Sequence, residues 1–178
     1  MIVRFAPAIL LALVVPFTTA ASQTAQGRLT VNGASKNLTQ AAAYEVESLT
    51  NPGSMDVIVL LSDRALPREA AIQTEILENL MLNHKLTALR VVIDSNGKIK
   101  SAAPYHPAFK SFIQSGAFVK WKPDTYDVNT IAGRVFTDGQ QQFAGQRWSY
   151  DLTFSSPITL HPAARTVPEQ KKSPKKRS

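Results

Sequence analysis

Side chains able to move protons, hold metals or attack carbonyl carbon are few and scattered in this chain. Its three histidines are His84, His106 and His161. None belongs to an H-E-x-x-H pair, so a zinc site would need ligands from distant segments. No metal or other cofactor is expected. His106 stands out because Tyr105-His106-Pro107 ends a strand-like run at a loop, where functional residues concentrate. An imidazole there could act as the general base of a hydrolase if the fold brought it to a carboxylate such as Asp63 or Asp94. Asp124 and Asp127 flank Tyr126, and Asp56 and Asp63 bracket one apolar run. These read as turn and edge solvation rather than as a glycosidase pair. No G-x-S-x-G elbow or S-x-x-K motif appears at a strand–helix turn. The eight glycines fall mostly at turns and form no phosphate-cradling loop. The absence of cysteine excludes disulfides, thiolate metal sites and cysteine nucleophiles.

Two further groups of residues suit binding rather than catalysis. In Arg147-Trp148-Ser149-Tyr150-Asp151-Leu152-Thr153-Phe154 the apolar side chains alternate, which places Trp148, Tyr150, Leu152 and Phe154 on one face of a strand. Such a stripe is first a core face. Trp148 and Tyr150, with Tyr105 and His106, are nevertheless the candidate ligand contacts. The second group is a basic cluster, Lys171, Lys172, Lys175, Lys176 and Arg177. It suits an anionic surface such as acidic lipid, lipopolysaccharide or a cell-wall polymer, where each cation contributes up to about 1 kcal/mol.

The elements that must position these residues read as hairpins and one helix. Residues 27–31 alternate and lead into Asn32-Gly33, a pair suited to a tight hairpin turn, with 34–38 returning. Residues 42–48 and 56–62 read as strands, the second rich in β-branched residues and buried on both faces. Pro67 fits the first turn of a helix over 67–83, with Ile72, Ile76, Leu77, Leu80 and Met81 on one face. Residues 86–94 and 98–103 form another hairpin around Ser95-Asn96-Gly97. Residues 104–107 are expected to be irregular because of the two prolines. Residues 109–118 fit neither period cleanly. Strands are expected over 127–137 and 146–154, flanking a Gln-rich loop. The fold class is therefore α+β: a mostly antiparallel sheet or half-barrel with one amphipathic helix packed on it.

Charge and composition divide the 178 residues into three parts. Residues 1–21 have a basic start, an apolar run of about 13 residues and small residues before a cut, the grammar of a cleaved signal peptide. The run is shorter than the ~20 residues of a spanning helix. Residues 163–178 carry six basic side chains and one acidic one, two prolines and no apolar period, which predicts a disordered tail. Residues 22–162 then hold 13 basic and 12 acidic residues, so the net charge of +7 belongs mainly to the ends. A nearly neutral domain of this size gives no reason to expect nucleic acid as a partner. No transmembrane segment is expected in the mature chain, which is assigned to the periplasm or the exterior.

The opening Gly27-Arg28-Leu29-Thr30-Val31-Asn32-Gly33 and the closing run from Gly145 to Phe154 resemble the bookends of small exported bacterial domains with no assigned activity. Val59-Leu60-Leu61-Ser62-Asp63 and Tyr105-His106-Pro107 add to the likeness, which covers about residues 27–158. The resemblance implies one exported β-rich domain and carries no catalytic residue. The functional expectation is a non-catalytic binding or structural module of the bacterial envelope. The alternatives are a hydrolase using the His106 loop, and attachment to an anionic surface through the tail.

Overall fold

A computed structural model describes residues 23–109 and 118–161. Residues 1–21, where a signal peptide is expected, and the basic tail over 163–178 lie outside the described residues. Strands β1 (Thr24–Val31) and β2 (Ala34–Asn37) form the first hairpin, followed by β3 (Gln40–Glu47) and β4 (Met55–Ser62). Helices α1 (Arg68–Ile72) and α2 (Thr74–Leu82) come next. They lead to the β5 (Ala88–Ile93) and β6 (Ile99–Tyr105) hairpin, and then to β7 (Val119–Tyr126), β8 (Thr130–Thr137), β9 (Gln141–Phe143) and β10 (Gln146–Thr159).

All ten strands belong to one mostly antiparallel sheet that curls into a half-barrel. Its main spatial order is β6-β5-β4-β3-β1-β10-β8-β7, with β2 beside β1 and β9 beside β10. Strand β10 organises the sheet. Its 14 residues pair with β1, β8 and β9, and its end runs parallel to β3 at Ile158↔Ala43 and Thr159↔Tyr44. Every second residue from Gln146 to Ile158 is buried, so the period of two read in the sequence extends two turns of the pleat past Phe154.

Curling is made sterically feasible by glycines on both strands flanking β10. Gly27 on β1 faces Leu152 and Gly133 on β8 faces Phe154, both with strongly positive φ. A side chain at Gly27 would collide with the Asp151 carbonyl oxygen, and one at Gly133 with the Lys122 carbonyl and the Trp121 ring. These two glycines are bend points within strands rather than turn residues. The concave interior is filled by Leu29, Val31, Val59, Leu61, Val91 and Ile131, with the inward residues of β10. At one seam the sheet's edges meet: the Tyr126 hydroxyl at the end of β7 donates to the Asp94 carbonyl after β5, at 2.9 Å.

The helical segment lies where its apolar spacing puts it but is not one helix. Gln73 is extended (φ −96°, ψ 101°) and separates α1 from α2. The break has a partner: Arg90 Nε donates to the Ala71 carbonyl at 2.8 Å, an oxygen that a continuous helix would use internally. Ala70 and Ala71 bury fully, whereas Ile72 stays 40% exposed. The residues expected to be irregular also differ, since Pro104 and Tyr105 continue β6. β6 is an edge strand, where a missing N–H need not remove a ladder bond. The segment from Val119 to Tyr126 is a full strand, β7, that the sequence reading leaves unassigned. Its outward Lys120 and Lys122 and its internal Pro123 mask the inward alternation of Val119 and Trp121.

Candidate functional site

The four sequence-derived contact residues fall into three environments. Tyr105 lies at the end of β6 on the same face of the sheet as Arg90, opposite the concave interior, and is completely buried. Burial pushes its phenol up to about 12; Arg90 opposes this shift, and Glu78 and Glu75 of α2 add to it. Trp148 and Tyr150 point into the interior and are nearly inaccessible. Phe109 and Phe118 meet Trp148 edge-on, with ring centroids 6.3 and 6.2 Å away. Burial raises the Tyr150 phenol strongly, while its backbone N–H and carbonyl lie within reach of Thr137 Oγ1.

His106 sits at the rim, where β6 ends. Its Nδ1 accepts the Ala108 N–H at 3.0 Å, and its carbonyl accepts the Phe109 N–H. An accepting Nδ1 requires the proton on Nε2 in the neutral ring. Burial lowers the imidazole's affinity for a second proton, Lys36 lowers it further and Asp63 opposes both. This turn is tied to two other segments by Asn32, whose left-handed conformation closes the β1–β2 hairpin. Asn32 Nδ2 donates to the Ala108 carbonyl at 3.0 Å, and Oδ1 accepts the Arg147 N–H at 2.9 Å.

Of the two carboxylates considered for His106, Asp63 is close enough to act on it electrostatically, and its nearest cation is Arg64 at 3.2 Å. Asp94 lies at the other end of the β5–β6 hairpin, a seven-residue strand or roughly 20 Å away. There its Oδ1 accepts the N–H groups of Asn96 and Lys98 and shapes the turn. Lys100 is likewise engaged. Its ammonium reaches Asp56 (2.7 Å), Ser48 (2.9 Å) and Thr50 (2.6 Å), pinning β6 to the β3–β4 turn. No group of three or more His, Asp or Glu side chains suited to a metal occurs among the described residues.

An accessible row of polar side chains lies on the outer face. A groove of about 440 Å³ is lined by Arg28, Thr30, Gln140, Ser149 and Asp151, with Gly27 and Gly139 leaving room. Tyr150 borders it as well. Thr30 sits opposite Ser149, and Arg28 opposite Asp151, across β1 and β10. Arg134 of β8 grips Asp151 with two hydrogen bonds of 2.7 and 2.6 Å, which hold that carboxyl below its ordinary range. Arg134 also lies 4.6 Å over the Phe136 ring. The sequence signal for this row is the polar half of the alternation that marks the aromatic stripe: Arg28 and Thr30, Ser149 and Asp151. What the sequence lacks is the register that sets them side by side.

The basic cluster Lys171, Lys172, Lys175, Lys176 and Arg177 lies outside the described residues. No helix among the described residues is long and apolar enough to cross a membrane. No known protein family, curated protein or solved structure matches the chain.

Proposed function

We propose that the chain is a non-catalytic binding or structural module of the bacterial envelope, exported through its residues 1–21. The observation that carries this reading is that side chains with catalytic potential are engaged in fastening the fold. His106 spends its Nδ1 lone pair on the Ala108 N–H, where a general base would need it for substrate. Lys100 spends its ammonium on three oxygens. The Tyr105 and Tyr150 phenols are held neutral by burial. A groove carrying paired charges and hydroxyls stays open to solvent on the outer face, a surface suited to hydroxyl-rich or anionic polymers.

The test is twofold. The purified protein is incubated with ester, phosphate, peptide and glycoside substrates, with no turnover expected. Turnover that disappears in His106→Asn would overturn the reading in favour of the hydrolase. Retention on immobilised lipopolysaccharide and cell-wall polymer is then compared between the wild type and Arg28→Ala, with weaker retention expected for the variant. Equal retention removes the groove from the proposal.

The basic tail supports a second contact, with an anionic surface. Five net positive charges lie within residues 163–178, beyond a domain that is close to neutral. Sedimentation with phosphatidylglycerol vesicles should fall steeply as salt rises. It should also be lost when Lys171, Lys172, Lys175, Lys176 and Arg177 are replaced by glutamine.

A further inference from the structure

A second pocket, of about 270 Å³, opens at the end of the half-barrel where β7 and β10 finish. Its apolar wall comprises Met55, Val57 and Ile158, its aromatic side is Tyr126, and Glu45 and Asp127 supply carboxylates. Glu45 is unusual in position, since it lies on the inward-facing register of β3, two residues after the buried Ala43. The surroundings are acidic. Asp94, Asp56 and Glu45 each act on the Tyr126 phenol, adding to the effect of its burial. Lys100 is committed to Asp56 and its two hydroxyl partners.

This is also where the described residues end. The N–H of His161, two residues past β10, donates to Glu45 Oε2 at 3.0 Å, so the exit point is fixed against the pocket wall. Residues 162–178 start there, and their first charged side chain is Arg165. Four residues of extended chain span at most ~13–14 Å. An arginine has an apolar stem and a planar cation that binds carboxylates and stacks on an aromatic ring.

We propose that this pocket is the docking site of the chain's own C-terminal segment. Arg165 lays its stem on Met55, Val57 and Ile158 and brings its guanidinium to Glu45, Asp127 and the Tyr126 ring. The proposal is independent of the envelope function above. Because the ligand is tethered at His161, its effective concentration is in the millimolar range and a weak intrinsic contact suffices. Docking would fix the start of the tail and hold the cluster from Lys171 to Arg177 at this end of the domain.

The test uses the full chain, nitrogen-labelled for NMR, and follows the amide resonances of Met55, Ser95 and Val128. Arg165→Gln should shift all three, Arg165→Lys should shift them less, and high salt should move the wild type towards the glutamine variant. Lys176→Gln should leave them in place. Unchanged resonances from β5 confirm that each variant is folded. Resonances that do not respond to Arg165→Gln overturn the proposal. An equal response to Lys176→Gln overturns it in favour of diffuse attraction. Signals that revert on dilution overturn it in favour of a second copy of the chain as the occupant.

Discussion

His106 shows how a residue that looks chemical becomes structural. Its neutral ring accepts a hydrogen bond from the Ala108 N–H, and protonation would turn that acceptor into a donor facing a donor. The folded-state pKa lies below the ordinary 6.5, so between these two values the unfolded chain binds more protons. Stability is therefore full above about pH 6.5 and declines as pH falls through the folded value. Urea melts at neutral and mildly acidic pH should show this loss. In His106→Asn, whose amide oxygen can accept the same N–H, the loss should disappear. Glycine positions are more severe. A Cβ on Gly133 would lie 2.8 Å from the Trp121 ring, with φ at +153°. Gly133→Ala should cost ~2–5 kcal/mol in chemical denaturation, from backbone strain plus overpacking. Part of this was legible. The Trp148–Phe154 stripe announces its own burial by alternation. The roles of Gly27 and Gly133 are not announced, because a glycine in a strand reads the same whether or not a neighbouring backbone crowds it. Tyr105 and His106 are adjacent in sequence, yet Tyr105 closes β6 fully buried while His106 begins the turn that follows it.

Among the elements, β4, β5 and β6 form the half whose outer face is covered by the helices, and Lys100 is its cross-brace. Asp56 is buried, so removing its partner leaves a carboxylate without its cation. Lys100→Met should destabilise by about 2–4 kcal/mol, towards the low end of the cost of breaking a buried pair because Lys100 is itself 26% exposed. Adding Asp56→Asn should restore part of that loss, and a double-mutant cycle measures the coupling. The helices show where propensity yields to tertiary contact. Residues 67–83 have sound helical spacing, and nothing local forbids one continuous rod. The break at Gln73 goes with a contact from Arg90, 17 residues later, which takes the Ala71 carbonyl that a continuous helix would use. The same logic lets Pro104 sit inside β6: a proline forbids a central strand but not an edge, and edge status depends on strand order.

Strand order was the least legible property of the whole molecule, since adjacent hairpins can be read one by one but β1 meets β10 across more than a hundred residues. Closure at the far seam is correspondingly modest. Tyr126→Phe removes the hydroxyl bond to Asp94, and a loss of ~1 kcal/mol is expected. Hydrogen exchange should quicken along β6 and β7 before it does in β10. The central place of β10 bears on how the protein is made. Until residues 146–159 are available, β1 and β8 both lack the neighbour that joins the two halves of the sheet. A nascent chain would thus keep its two halves unjoined until nearly its whole length has been made.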